Sequence, residues 1–317
     1  MANPVASVTA VGQVSSDTAA FEQLAYFALR SQPMFEMVAD VKSTNQSHNG
    51  ASVQFNIYND LAQITSALTE GSDVTAVQLG DSTVTVTLAE YGNAVTTTAK
   101  LRGTSFLNVD ADAANIIGYN MSNSIDKIVQ GVMVAGSNVL YGGDATATGE
   151  LAAGDTITAA LIRKSVAALR GDSAPTMDGG FYVGFIHPDV SFDLRALTAV
   201  TDVIQHQIRQ DGGAVRAGSI GQFGGVDFIE TPRIDHGTND GASNVDGYNT
   251  LICGKQALAK ATSRAPGFGD NPSVVFGPVT DSLRRFQTVG WYHLVGYSRF
   301  REASLQRIET SSSIGAN

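Results

Sequence analysis

The side chains best suited to catalysis or metal binding are few and scattered in this sequence. No two histidines have the spacing of a metal-binding helix, and the single cysteine, Cys253, excludes a thiolate zinc cluster. Cys253 lies in an apolar run, which favours a buried side chain, and no GxSxG nucleophile motif occurs. We therefore predict no metal, no cofactor and no catalytic residue, and expect that the protein is not an enzyme. The histidines are His48, His187, His206, His236 and His293.

Two other patterns suggest ligand chemistry but fit structural roles better. Gly218, Gly221 and Gly224 are three residues apart, which matches neither a dinucleotide fingerprint nor a phosphate-binding loop. Glycines so placed favour tight turns in a hairpin. Asp110 and Asp112 resemble the start of a calcium loop, but the required glycine is missing. We predict that both aspartates stand at the start of a helix.

Composition limits the function further. The chain has 317 residues, of which 43% are hydrophobic and only 16% charged, so a packed core is expected and wholesale disorder is excluded. Its net charge of −10 argues against a protein that holds DNA by neutralising phosphates. No apolar run is long enough for a membrane helix, and the N-terminus lacks a signal-peptide pattern. We expect a soluble, cytosolic product.

One long helix dominates the predicted elements. Apolar residues recur at helical spacing over residues 110–140, with Ile117, Met121, Ile125 and Ile128 as its predicted core face, and Gly142 and Gly143 follow it. About 28 helical residues would make this helix about 42 Å long. Shorter helices are predicted at 18–30, 156–170, 190–197 and 201–210.

Strands are predicted between these helices, which gives an α+β fold. Strict alternation marks 51–58 and 83–88 as strands that form a long hairpin. Further strands are predicted within 181–186, 215–230, 250–262 and 273–309.

Charge is unevenly distributed along the chain. The hairpin segment 51–99 has five acidic residues and no basic one, whereas 260–309 has seven basic and four acidic residues. A hairpin with so little core of its own needs a partner surface. The two segments could therefore meet between subunits, although scattered charge more often forms a solvated face.

The order of these features resembles the tailed-bacteriophage major capsid proteins with the Hong Kong 97 fold. Three phrases resemble the subfamily typified by the coliphage N4 capsid protein: GFIHPDVSFDLR (184–195), GSIGQFGGVDFIETP (218–232) and VGWYHLVGYSRFREASLQRIE (289–309). The resemblance implies a shell protein that self-assembles into the icosahedral head of a virion.

The resemblance also implies a domain layout and partners. It implies an N-terminal arm at 1–45, an extended loop at 46–95, a peripheral domain at 96–180 and 265–317, and an axial domain at 181–264. The implied partners are copies of the same chain in hexamers and pentamers, a portal, a separate scaffolding protein and decoration proteins. The shell would be assembled in the host bacterial cytoplasm and would enclose double-stranded DNA without sequence-specific binding and without a membrane.

In the resembled fold, the extended loop crosses the peripheral domain of a neighbouring subunit. We therefore hypothesise that Asp60, Glu70 or Asp73 pairs with an arginine across a subunit boundary. The candidate arginines are Arg264, Arg284 and Arg285. The alternative is that the acids only keep the loop soluble before assembly.

Two other classes of function remain open from the sequence. A secreted β-rich adhesin or carbohydrate-binding protein would suit the glycine, serine and threonine content, but would not need the long helix. A hydrolase is a weaker alternative, since no convergent nucleophile and base can be identified.

Overall fold

Helices and strands are mixed along the chain, as the sequence predicts. The computed structural model describes residues 30–44, 51–105, 109–177, 179–197, 219–263, 271–277, 282–283 and 285–314. The helices in these residues are α1 (Ala99–Thr104), α2 (Val109–Val134), α3 (Ala159–Gly171) and α4 (Pro188–Ala196). The strands are β1 (Ala39–Thr44), β2 (Ser52–Tyr58), β3 (Asp81–Thr87), β4 (Ala89–Thr98), β5 (Val139–Tyr141), β6 (Tyr182–Ile186), β7 (Ser219–Phe223), β8 (Val226–Glu230), β9 (His236–Gly237), β10 (Gly247–Cys253), β11 (Leu258–Ser263), β12 (Ser273–Phe276), β13 (Phe286–Arg299) and β14 (Leu305–Thr310). None of the helices in the described ranges is long and apolar enough to cross a membrane.

The chain divides into two units. The small unit contains Gly92–Met121 and Pro272–Tyr292, and the large unit contains Ser31–Tyr91, Ser122–Asn271 and His293–Asn317. The elements β4, α2 and β13 each have residues in both units.

The large unit is built on a seven-stranded sheet. Its strand order is β5-β14-β10-β6-β8-β7, and β9 pairs with β10. Helices α3 and α4 contribute Ile162, Val166, Leu169, Val190 and Leu194 to a core that also contains side chains from this sheet. The helices begin at side-chain caps: Thr158 accepts a hydrogen bond from Leu161 N, and His187 from Asp189 N.

The predicted hairpin is formed by β2 and β3. The two strands pair antiparallel, with Phe55 opposite Val84 and Val53 opposite Val86. Residues 59–80 between them contain no strand or helix. Two further strands of the large unit, β1 and β11, pair in parallel, and β11 also pairs antiparallel with the C-terminal part of β13.

The small unit contains β12, α1 and the N-terminal parts of α2 and β13. Strand β12 pairs antiparallel with β13, with Val274 opposite Trp291. Asn120 on α2 accepts hydrogen bonds from Trp291 Nε1 at 2.9 Å and from Asn93 Nδ2 at 3.2 Å. Because Trp291 is on β13 and Asn93 is on β4, these bonds link α2 to both of these strands within the small unit.

The long helix is shorter at its C-terminal end than the sequence predicts. It ends at Val134, and residues 139–141 form β5, which pairs with β14. The backbone N–H of Ser137 donates to the Glu302 carboxylate, and Asn138 Nδ2 donates to the Glu302 carbonyl. The prediction of helix up to residue 140 was wrong, because these long-range bonds outweigh the helical pattern of the local sequence.

The glycine and cysteine predictions are confirmed where the structure describes them. Gly224 and Gly225 form the turn between β7 and β8 and both have positive φ, as does Gly221. Cys253 is fully buried, and this burial raises the pKa of its thiol. The helix predicted at 201–210, most of the one predicted at 18–30, and Gly218 lie outside the described residues.

Candidate assembly surfaces

The loop between β2 and β3 exposes an unusual number of large apolar side chains. Ile64 and Leu68 are 71% and 72% exposed, although residues of this size are normally buried. The full set is Leu61, Ile64, Leu68, Val74, Val77 and Leu79. Nothing in the described part of the chain covers these side chains, so the loop is a candidate contact surface.

The three acidic residues predicted to make intersubunit contacts lie on this loop. Asp60, Glu70 and Asp73 are exposed, and none of them forms an ion pair with any described residue. Asp73 Oδ1 accepts a hydrogen bond from the adjacent Val74 N–H at 2.8 Å, which is a local turn contact. Their charges are therefore available to another molecule.

Only one of the three predicted arginine partners can be placed. Arg264 and Arg284 lie outside the described residues. Arg285 is exposed in the small unit, and its guanidinium carbon lies 5.3 Å from the centre of the Phe286 ring. Its backbone carbonyl accepts a hydrogen bond from Ala99 N at 2.7 Å, which fixes the chain direction at the start of α1.

The base of the hairpin, unlike its loop, is firmly packed in the large unit. Phe55, Val86 and Leu88 are buried against Ala259 and Ala261 of β11. The rings of Phe55 and Phe300 also meet edge to face, with centroids 5.8 Å apart. The loop therefore projects from an anchored base.

A glycine on β13 makes this anchoring possible. A Cβ atom at position 296 would overlap the Thr87 carbonyl oxygen and would lie 2.8 Å from Val86 Cγ1. The end of β3 thus passes directly over β13 at a position where only glycine leaves room.

The predicted core residues of the long helix differ in burial. Ile117 and Ile125 are 1% and 5% exposed, whereas Met121 and Ile128 are half-buried. Val129 and Met133, which are outside the predicted core face, are fully buried.

A polar face of the same helix was not predicted at all. Asp126 is 3% exposed, and its Oδ1 accepts hydrogen bonds from Met34 N at 2.9 Å and Phe35 N at 2.8 Å. Its Oδ2 accepts from Arg233 Nε at 2.6 Å. Gln130, one turn further along, donates to the Arg233 carbonyl at 3.0 Å. These bonds fasten the segment that begins at residue 31 to the helix and to the loop after β8.

A second buried charge lies near the start of β1. Lys260 Nζ and Tyr297 OH both donate to Glu36 Oε1, at 2.5 and 2.8 Å. Burial raises the pKa of Glu36, but these hydrogen bonds and the Lys260 charge outweigh it and hold the pKa below its usual value. Glu36 therefore remains ionised and stabilises the buried ammonium group.

The rings of His187, His236 and Tyr248 cluster at the start of α4. The His187 and Tyr248 centroids are 5.0 Å apart, and the two histidine centroids are 5.5 Å apart. Burial lowers the pKa of His187, the nearby His236 lowers it further, and Asp189 and Glu230 oppose the shift. No group of histidine, cysteine, aspartate and glutamate in the described ranges has the geometry of a metal site.

The small unit has an apolar groove of about 270 Å³ between β4, α1 and α2. Val95, Leu101 and Ile116 on its walls are 39%, 46% and 48% exposed. The groove is therefore large enough to receive apolar side chains from another molecule.

The sequence matches a known protein family over nearly its whole length. A family profile described as phage capsid protein matches residues 10–314. No curated protein matches the sequence at a significant level.

Several solved structures have the same fold as this chain. The capsid protein of Ralstonia phage GP4 superposes with a TM-score of 0.73 and 18% identity, over 96% of this chain and 98% of that chain. The cyanophage Pam1 capsid gives 0.72 and 16%, over 99% and 100%. The Helicobacter pylori phage KHP30 capsid gives 0.71 and 12%, over 96% and 98%. At these identities the superpositions establish the fold, and they agree with the predicted Hong Kong 97 architecture.

Proposed function

The chain belongs to the phage capsid protein family, and on that premise we propose how its copies join one another in the shell. It is a major capsid protein, a structural component of the icosahedral head of the virion. The proposal is that the apolar loop 59–80 of one copy covers the small unit of a neighbouring copy. The observation that carries it is the exposure of six large apolar side chains on a loop whose base is anchored.

The groove of the small unit is the proposed receiving surface. Val95, Leu101 and Ile116 line its walls, and the loop offers six exposed apolar side chains that could fill it. Burial of apolar surface contributes about 25 cal/mol per Å², so even a few such side chains add several kcal/mol per contact. When every copy makes one such contact, the many weak contacts together give the closed shell high stability.

Charge supplies the second part of the proposal. Asp60, Glu70 and Asp73 have no partner ion in the described chain, and the C-terminal part of the sequence carries the excess arginines. We propose that these acids pair with Arg264, Arg284 or Arg285 of the neighbour. An exposed pair contributes only about 0–1 kcal/mol, so its main role is to set the register of the contact.

The wider assignments follow from the family and from sequence phrases. We propose the domain layout of arm 1–45, extended loop 46–95, peripheral domain 96–180 and 265–317, and axial domain 181–264. We also propose hexamers and pentamers around double-stranded DNA, with portal, scaffolding and decoration proteins as partners, assembled in the host cytoplasm. The phrases at 184–195, 218–232 and 289–309 support placement in the subfamily of the coliphage N4 capsid protein.

Loop substitutions test the apolar contact. The double variant Ile64→Asn with Leu68→Asn changes two side chains that are already in water, so the subunit should fold normally. We expect it to form no shells in electron micrographs. The matched control is Thr65→Asn with Ser66→Asn, which changes the same exposed loop without removing apolar surface. Normal shells from the Ile64 and Leu68 double variant would refute the proposal.

Charge reversal tests the ionic contact separately. Arg284→Glu with Arg285→Glu should block assembly of a folded subunit, and loop acids changed to lysine should partly restore it. Lys164→Glu is the control, because it reverses an exposed charge on α3, which takes no part in the proposed contact. Normal assembly of the arginine variant would leave the acids with a role in solubility alone.

A further inference from the structure

A second exposed apolar surface lies on the small unit, along strand β12. Val274, Val275 and Phe276 are 37%, 48% and 59% exposed, so apolar side chains on both faces of the strand reach solvent. In the described residues β12 pairs with β13 alone, which leaves its other edge with unpaired backbone groups. Exposed edges of this kind readily pair with another strand.

The edge has none of the charges that usually protect such strands. Residues 271–278 contain no acidic or basic residue, and the only protection is the shortness of the strand between Pro272 and Pro278. An uncharged edge can meet an identical edge without repulsion. Two copies of this four-residue strand can therefore pair antiparallel. The flanking prolines prevent the pairing from extending beyond the strand.

The symmetry of the shell indicates which strand pairs with the free edge of β12. An icosahedral shell has twofold axes, and a twofold contact brings the same surface of two subunits together, so that surface must be complementary to itself. Antiparallel pairing of two identical strands has this symmetry. The segment also falls in the proposed peripheral domain, so the inference rests on the proposed function for its position at a boundary between capsomers.

We propose that β12 pairs antiparallel with β12 of a second copy, across a twofold axis between capsomers. The pair joins the sheets of two small units through backbone hydrogen bonds and packs Val274, Val275 and Phe276 of both copies together. Each pair is short and weak, which suits a contact that must form and correct itself during assembly.

Single cysteines test this symmetry directly. Directly opposed Cα atoms in an antiparallel pair lie about 4.5–5.5 Å apart, within the range of a disulfide. If the axis passes through residue 274 or 275, Val274→Cys or Val275→Cys alone gives a covalent dimer in oxidised shells. Cys253 is buried and does not interfere.

The expected result is a dimer band from one of these two variants that disappears on reduction. Shells that form normally but give no dimer in any sample overturn the strand pairing and leave the proposed function intact. Normal shells from the Ile64→Asn and Leu68→Asn double variant would instead contradict the proposed function itself.

Charge substitution gives an independent test. Shells should be lost with Val275→Lys, because two ammonium groups would then lie close together across the axis, while capsomers should still form. The Val275→Glu variant should fail in the same way. A mixture of the two should assemble, since opposite charges then meet. Equal assembly of Val275→Lys alone and of the mixture would overturn the inference.

Discussion

Asp126 on the long helix and Arg233 after β8 form a buried ion pair, with 2.6 Å between Asp126 Oδ2 and Arg233 Nε. The side chains are only 3% and 10% exposed. Because Asp126 also accepts two backbone hydrogen bonds, one carboxylate joins three separate segments of the chain.

Removal of either partner of this pair should destabilise the fold strongly. We expect Asp126→Ala or Arg233→Met to lower the free energy of unfolding by about 3–5 kcal/mol, since the remaining charge stays buried. Chemical denaturation of the subunit measures this. Lys127→Met is the control, because Lys127 forms an exposed pair with Asp235 and its loss should cost at most about 1 kcal/mol. Equal effects in the two cases would show that burial of the Asp126 pair is unimportant.

Substitution of Gly296 should loosen the base of the hairpin. Because the Thr87 carbonyl occupies the space of a side chain at 296, Gly296→Val should force β3 away from β13. We expect a lower melting temperature and faster proteolysis between residues 51 and 88. Gly131→Ala on α2 is the control, since its Cβ would meet no atom within 4 Å. That change should stabilise the helix by about 0.5–1 kcal/mol.

The long helix should not tolerate a charge at Ile125. This side chain is 5% exposed, so Ile125→Asp would bury an unpaired carboxylate and cost several kcal/mol. The expected result is insoluble protein. Ile116 on the same helix is 48% exposed, and Ile116→Asp should remain soluble. A soluble Ile125→Asp subunit that assembles would contradict the burial of this face.

Acid should weaken the start of α4 through His187. Its pKa is lowered in the folded chain, so the folded state binds a proton less tightly than the unfolded state does. The free energy of unfolding therefore falls as the pH decreases from the ordinary histidine pKa of about 6.5 towards the folded value. The variant His187→Asn keeps a helix cap without a titratable ring. Its melting temperature should fall less than that of the unmodified chain between pH 7.5 and 5.5, and equal falls would contradict the role of His187.

The shell should contain no covalent links through the loop. An amide cross-link to a neighbouring subunit requires a lysine, and none occurs between Lys42 and Lys100. Boiled virions should give a single monomer band in a denaturing gel. Ladders of higher mass that survive reduction would contradict this expectation.

Most of what the sequence predicted correctly about the fold depends on local residue patterns. Alternation at 51–58 and 83–88 gave the hairpin, and φ above zero at Gly224 explains why glycine occupies that turn. The Asp126–Arg233 pair could not be predicted, because its partners are 107 residues apart and neither has a distinctive local context. The end of α2 was missed for the same reason, since it depends on Glu302.

The residues proposed to make intersubunit contacts could be predicted in part only. The one-sided charge of 51–99 pointed to the acids, but the exposure of Ile64, Leu68 and their neighbours arises because no segment in the described ranges covers the loop. Apolar residues in a weakly patterned stretch give no signal that distinguishes a buried from an exposed position.

The uncovered apolar loop also affects the chain while it is still a free subunit. Nothing in the described ranges covers its six large apolar side chains, so each newly made copy presents them to water until another surface covers them. Assembly with a neighbouring subunit and nonspecific aggregation then compete for the same side chains. Both processes require collisions between molecules. The order in which partners become available should therefore matter more for the yield of heads than the intrinsic stability of one subunit. Slow synthesis beside preformed rings should favour growth of the shell, whereas a burst of free chains should favour precipitate.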